Sequence, residues 1–114
     1  MENEARLFLL DALAAEVKAT PDTMFDYRVT SAKCGCLLPA VARLLRTRKN
    51  IDVSQVNTVF GLNGREAAYL AGFSAPTLDM NARHFEMMSA AEAKGKRGKR
   101  EALRRIRRVR ANYA

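Results

Sequence analysis

The chain has 114 residues, 48% of them apolar, with a mean hydropathy of -0.24 and a formal net charge of +8. This composition can form a modest core, which excludes wholesale disorder and fibrous repeats, and the length excludes barrel and dinucleotide-binding enzyme folds. The longest apolar stretch, which begins at Leu7, is interrupted by Asp11 and falls short of the roughly 20 residues that span a bilayer. Because the first residues also lack the basic start of a secretory signal, we expect a cytoplasmic protein.

The positive charge is concentrated in the last part of the chain. Residues 1–92 have 10 basic and 11 acidic side chains, whereas residues 93–114 have 10 basic side chains and one acidic side chain, Glu101. Summed charge of this density attracts polyanions. We therefore predict a compact domain over residues 1–92 and, over residues 93–114, a flexible Gly- and Lys-rich hinge (residues 93–99) followed by a basic helix.

Residues 3–18 place apolar side chains at spacings of three, four and seven, with strong helix formers between them, which predicts a first helix. Thr20 and Pro21 end this helix. The aromatic side chains of Phe25 and Tyr27 follow, and we expect this short connection to pack on the core. A further helix is predicted over residues 38–48, where Pro39 fits the first turn.

Capping patterns predict the helices of the second half of the domain. Asn63 and Glu66 have the spacing of a capping box, and Gly72 supplies the left-handed residue that ends the compact helix after them. The same spacing opens the segment 52–60, and Ser74 caps a later helix. The chain is therefore predicted to be all-α, a small compact helical domain.

Residues 64–78 have the layout of a helix-turn-helix, in which Ala68 lets two helices approach and Gly72 makes the turn. The second helix would then present three candidate base-reading side chains: Thr77, Asn81 and Arg83. Asp79 on the same helix would repel phosphates. The alternative interpretation is that two short helices simply pack against each other.

Residues 63–77 resemble the helix-turn-helix of phage terminase small subunits, where an Ala-Ala-x-x-Ala-Gly-aromatic-Ser core is followed by Thr. More of the chain resembles a group of small uncharacterised phage and bacterial proteins with the pattern Phe-Asp, Cys-Gly-Thr-x-x-Cys and Leu-Gly-Leu-x-x-x-x-Ala. The matching residues are Phe25-Asp26, Cys34-Gly35-Cys36 with the second Cys displaced, and Phe60-Gly61-Leu62 with Ala67. The second resemblance implies a phage or prophage setting and no particular mechanism.

The basic side chains near the C-terminus are the strongest functional signal. Clustered Arg can contact phosphates bidentately, and such binding gains from counterion release and weakens with salt. The predicted nucleic-acid-binding residues are Lys94, Lys96, Arg97, Lys99, Arg100, Arg104, Arg105, Arg107, Arg108 and Arg110. The alternative is a solvated face that only keeps the protein soluble.

An apolar stripe runs between these cations, at spacings of three and four residues. It consists of Leu103, Ile106, Val109 and Tyr113. We expect this stripe to bind a partner. Because Tyr113 is its only aromatic side chain suited to a membrane interface, membrane binding is disfavoured.

The sequence offers little for catalysis or metal binding. Cys34 and Cys36 are only two residues apart, so a disulfide between them would be strained, and we expect both to be reduced. The single histidine is His84. The sequence has no second Cys pair that could complete a zinc site with it, and no catalytic motif accompanies it. We therefore expect no catalytic residue, no metal and no cofactor.

These observations favour non-enzymatic nucleic-acid binding by a phage-type accessory protein, with DNA favoured over RNA, inside the host cell or the virion. The competing hypothesis is a protein-interaction module, such as a phage inhibitor or adaptor whose basic tail occupies an acidic protein surface. A virion component that lies against DNA is a third class. The sequence leaves the oligomeric state open, a homo-oligomer included.

Overall fold

A computed structural model of the chain describes residues 1–27, 58–72 and 88–114. Its helices are α1 (Asn3–Ala19), a short 3-10 helix (Asp22–Met24), α2 (Gly64–Leu70), α3 (Ala90–Ala93) and α4 (Gly95–Ala111). These three ranges contain no β-strand, only an isolated bridge between Asp26 and Lys94. The predicted all-α class is confirmed. No helix in this part of the chain combines the length and the apolar character needed to cross a membrane.

α1 forms where the apolar periodicity predicted the first helix. Its completely buried side chains recur at spacings of three and four residues: Leu10, Leu13 and Val17. The helix ends at Ala19 because Pro21 disfavours helical geometry at Thr20, which is extended. The Thr20 hydroxyl donates a hydrogen bond of 3.0 Å to the Glu16 carbonyl and so satisfies one carbonyl at the helix end.

The connection after α1 packs on the core through its aromatic side chains, as predicted. Phe25 and Tyr27 are buried, and their rings meet edge to face with centroids 6.2 Å apart. The Tyr27 hydroxyl donates a hydrogen bond of 2.7 Å to the Leu70 carbonyl, and its backbone N–H donates one of 2.9 Å to the Ala93 carbonyl. Tyr27 therefore joins α2 and α3, while the neighbouring Met24 stays exposed.

The capping box predicted before α2 is present. The Glu66 N–H donates to Asn63 Oδ1 at 2.8 Å, and the Asn63 N–H donates to Glu66 Oε1 at 3.1 Å. Gly72 follows the helix with a φ of +97°, as expected of a left-handed terminating residue. A Cβ at Gly72 would also lie 2.9 Å from the Tyr27 carbonyl oxygen, so glycine fits there for two reasons.

The hinge predicted over residues 93–99 is helical instead. Lys94 alone separates α3 from α4, and α4 begins at Gly95 with a φ of +67°. Gly98 is buried inside α4, where a Cβ would lie only 1.8 Å from the Ala93 carbonyl oxygen. The two glycines therefore allow a tight turn and a close backbone contact, and this contact fixes the start of the helix.

The apolar stripe of α4 packs inside this chain, which corrects its prediction as a partner-binding surface. Ile106 and Val109 are buried together with Ala102, and they share one hydrophobic cluster with side chains of α1 and α2. Leu103 and Tyr113 pack against the same cluster and are partly buried. The boundary predicted between residues 92 and 93 therefore divides residues that belong to one core.

Candidate nucleic-acid interface

Successive residues of an α-helix are rotated by 100° around its axis, so the side chains of α4 lie on two different sides of the helix. One side packs on the core and holds Gly98, Ala102, Arg105, Ile106 and Val109. We call the opposite side the outer face of α4, and its exposed charged side chains are Lys96, Arg97, Arg100, Arg104, Arg107 and Arg108. Cations thus occupy the outer face from Lys96 to Arg108.

Most cations of the outer face have no counter-charge. Except for Arg104, they make no ion pair and no side-chain hydrogen bond with any residue in the three described ranges, and neither does the exposed Lys94 before α4. Lys96 and Arg108 are twelve residues apart, which corresponds to about 18 Å along a helix. Duplex DNA carries one negative charge per about 1.7 Å of its axis, both strands counted, so a length of duplex equal to this row contains about ten phosphates.

This arrangement opposes the stability of α4. Lys96 with Arg100, and Arg104 with Arg108, place like charges four residues apart, where they repel. Lys96 and Arg97 also lie in the first turn, at the positive end of the helix dipole, and that turn has no acidic side chain. A bound polyanion would relieve both effects.

Lys99, a predicted nucleic-acid contact, is held within the fold. Its Nζ lies 3.1 Å from Asp22 Oδ1 and donates hydrogen bonds of 2.6 Å to the Thr20 carbonyl and 3.2 Å to the Lys18 carbonyl. These carbonyls lie at the negative end of the α1 dipole, which favours a cation. Lys99 therefore fixes the start of α4 against the end of α1.

Arg105 is a core residue, which corrects its prediction as a phosphate contact. It is only 5% exposed, and its guanidinium carbon lies 4.5 Å from the ring centroid of Tyr69 and 5.6 Å from that of Tyr27. Its Nε donates a hydrogen bond of 2.9 Å to Glu101, and its Nη1 donates one of 2.7 Å to the Tyr69 carbonyl. The side chain thus joins α4 to α2.

Two further cations have carboxylate partners at the surface. Arg104 holds both Glu101 oxygens, at 2.7 and 2.9 Å, and these hydrogen bonds are the main reason that the pKa of Glu101 falls to about 2. Arg110 binds the two oxygens of Asp11 at 2.8 and 3.3 Å. Arg104 remains half exposed on the outer face, whereas Arg110 links α4 to α1.

α1 runs beside α4 in the opposite direction. Asp11 meets Arg110 near one end of the pair, and Lys99 meets the carbonyl of Thr20 at the other. The solvent side of α1 carries a row of apolar residues at spacings of three and four: Ala5, Phe8, Ala12, Ala15 and Ala19. Phe8 is 73% exposed. Phe8 was not among the residues predicted to be functional, although it lies opposite the buried stripe of α1.

Glu66 fixes the far end of α4 in addition to capping α2. Its carboxylate accepts hydrogen bonds from the Tyr113 hydroxyl and from Asn112 Nδ2, the latter at 2.9 Å. The Tyr113 ring also lies under the Arg6 guanidinium, 4.8 Å from its carbon atom. The spacing of Asn63 and Glu66 predicted the cap, but it contained no signal for this contact across 47 residues.

The remaining candidate residues lie outside the described part of the chain. They are the proposed base-reading side chains Thr77, Asn81 and Arg83, and also Cys34, Cys36 and His84. In residues 1–27, 58–72 and 88–114, no three His, Cys, Asp or Glu side chains form a group that could hold a metal ion.

The chain matches no protein family profile, no functionally curated protein sequence and no solved structure. Its function must therefore be inferred from the outer face of α4 and its surroundings.

Proposed function

We propose that this protein binds nucleic acid, with DNA favoured over RNA, and that the outer face of α4 contacts the phosphate backbone. The observation that carries the proposal is the row of exposed cations from Lys96 to Arg108, which except for Arg104 have no counter-charge in the described ranges. Docking of α4 fixes the backbone that carries these cations, and guanidinium groups match the geometry of phosphate oxygens. Contacts of this kind position the nucleic acid and do not read its sequence.

An acidic protein surface is the competing partner, and two features disfavour it. Protein interfaces usually have an apolar centre, yet the stripe of α4 that was predicted to supply one is buried in this chain. The outer face is also basic along about 18 Å without an apolar interruption, which suits a regularly charged polymer. Base reading by Thr77, Asn81 and Arg83 and the phage setting remain separate proposals.

The proposal is tested with two double variants that remove the same charge. Arg100→Ala/Arg107→Ala removes two unpaired cations from the outer face, and Lys18→Ala/Arg65→Ala removes two exposed cations elsewhere. We expect the first variant to bind mixed-sequence DNA about tenfold more weakly near 0.1 M salt, with a log–log salt slope lower by about two. We expect the control to bind within about twofold of the parent, because it leaves every proposed phosphate contact in place.

Fluorescence anisotropy over a range of salt concentrations measures both quantities, and circular dichroism verifies that each variant is folded. Equal weakening by the two double variants would mean that net charge, and not this face, attracts DNA. Equal binding of polyglutamate and DNA by the parent would favour an acidic protein partner and contradict the proposal.

A further inference from the structure

Phe8 is the large apolar side chain most exposed to solvent among the described residues. It lies on the same side of the molecule as the outer face of α4. Asp11 of α1 is paired with Arg110 of α4. Phe8 precedes Asp11 by three positions, and Arg107 precedes Arg110 by three positions. Side chains three positions apart on a helix differ by a net rotation of about 60°. In both helices the rotation from the paired residue to Phe8 or Arg107 is away from the buried side chains and therefore toward solvent.

The two helices are antiparallel, so Phe8 and Arg107 are displaced in opposite directions along the pair, by about 9 Å in total. The aromatic ring therefore lies past one end of the cation row and one helix away from it. An exposed aromatic ring beside a basic groove is the usual arrangement in proteins that hold single strands, where bases stack on the ring and cations follow the backbone.

The acidic side chains of α1 indicate where the backbone and where a base of a bound single strand would lie. Asp11 lies on the edge of α1 that faces α4, and Glu4, seven residues earlier, lies on the same side of the helix. Arg110 neutralises Asp11, so Glu4 is the carboxylate that repels phosphates from this edge of α1 and favours a backbone on α4. It does not repel an uncharged base, which can reach across to Phe8.

We propose that Phe8 is a stacking platform for an unpaired base of a single-stranded nucleic acid whose backbone lies on the outer face of α4. This inference rests on the proposed function and adds a preference to it. A duplex keeps its bases stacked internally, so only a single strand, or a frayed end, can offer a base to the ring.

The experiment compares oligo(dT) with a blunt DNA duplex of similar length, closed at both ends by G·C pairs, by fluorescence anisotropy. We expect Phe8→Ala to weaken oligo(dT) binding about fivefold or more and to change duplex binding by less than about twofold. Phe8→Trp should retain oligo(dT) affinity, whereas Phe8→Leu should weaken it as Ala does, because Leu keeps apolar area without a ring face. Met24→Ala, at another exposed apolar residue, is the matched control and should change neither affinity.

Photocrosslinking supplies a second measurement that does not depend on folding energetics. An oligonucleotide with 5-iodouracil in place of thymine should crosslink to the peptide that contains Phe8. If Phe8→Ala changes neither affinity, or weakens both equally, stacking is wrong, and a dimer that Phe8→Ala dissociates would assign the ring to a second copy instead. If Arg100→Ala/Arg107→Ala leaves both affinities unchanged, the proposed function itself fails.

Discussion

Arg104 and Arg105 are adjacent and chemically identical, yet α4 places them in opposite environments. Arg104 is half exposed on the outer face, whereas Arg105 is buried between the rings of Tyr27 and Tyr69. A rotation of 100° between neighbours is sufficient to separate a surface cation from a core cation. Composition counts both equally, so a run of arginines overstates the number that can meet a ligand.

Replacement of Arg105 should therefore affect stability and not affinity. We expect Arg105→Ala to lower the free energy of unfolding by about 2–3 kcal/mol, because it leaves the partly buried Tyr69 carbonyl without this donor and removes a charged hydrogen bond to Glu101. Urea denaturation measures this loss. Nucleic-acid affinity of the folded variant should equal that of the parent, and a large loss of affinity would show that Arg105 reaches the ligand.

Gly98 is the glycine at which an added methyl group is least tolerable. Alanine gains about 1 kcal/mol over glycine inside a helix. The Cβ would nevertheless lie 1.8 Å from the Ala93 carbonyl oxygen, so α3 or α4 must move. We expect Gly98→Ala to cost about 3 kcal/mol or more in urea denaturation.

Gly64→Ala is the matched control for this substitution, because Gly64 is the first residue of α2 and does not have a positive φ. The control should be neutral or slightly stabilising. A neutral Gly98→Ala would mean that the close contact between α3 and α4 is absent in solution.

At the scale of whole helices, the spacing and capping patterns correctly predicted the features that depend on residues close together in sequence. The bounds of α1, the capping box of α2 and the left-handed Gly72 all follow from residues close together in sequence. The start of α4 did not, because Gly98 and Lys99 are fixed by Ala93 and by the end of α1, and spacing within one segment contains no signal for such contacts. A glycine-rich stretch was therefore mistaken for a hinge.

Contacts between distant segments also determine which cations belong to the candidate interface. The count of cations predicted a basic helix, but only packing against α1 and α2 determines which of them face solvent. Phe8 was invisible as a candidate because its significance comes from its position beside α4, and the Asp11–Arg110 contact that establishes this position joins residues 99 apart.

The hydrogen bonds on the Glu101 carboxylate should give α4 a measurable acid sensitivity. They lower the pKa of Glu101 in the folded protein to about 2 from its ordinary 4.5. Because the folded state binds this proton less readily, the contribution to stability is complete above pH 4.5 and is lost as the pH falls toward 2. Glu101 is partly exposed, so solvent screening keeps this contribution modest.

Glu101→Gln should therefore be less stable than the parent near pH 6, and the difference should disappear near pH 2. Urea denaturation at a series of pH values measures it. A difference that stays constant over this range would assign the effect of the substitution to packing.

For the molecule as a whole, α4 is the candidate binding element, and its inner side also contributes side chains to the hydrophobic core. Removal of residues 93–114 takes away Ile106 and Val109, together with the donors from Arg105 and Tyr113 to α2. We expect the remaining residues 1–92 to lose cooperative thermal unfolding, because their core would be left open to water. A truncated chain that unfolds with a sharp transition near the parental temperature would show that the core does not need α4.

The three tyrosines give this protein a built-in optical reporter of its own unfolding. The sequence contains no tryptophan, so tyrosine ionisation dominates the absorbance change near 295 nm in alkaline solution. Burial raises the pKa of Tyr27 well above its ordinary 10.0, and burial with the hydrogen bond to Glu66 raises that of Tyr113.

An unfolded chain ionises these phenols near pH 10, so stability should fall as the pH rises above 10. In an alkaline titration, the phenolate of Tyr27 should therefore appear together with the loss of helical circular dichroism. Ionisation of all three tyrosines in a still helical protein would show that the Tyr27 hydroxyl is open to solvent. Tyr27→Phe should remove one third of the absorbance change.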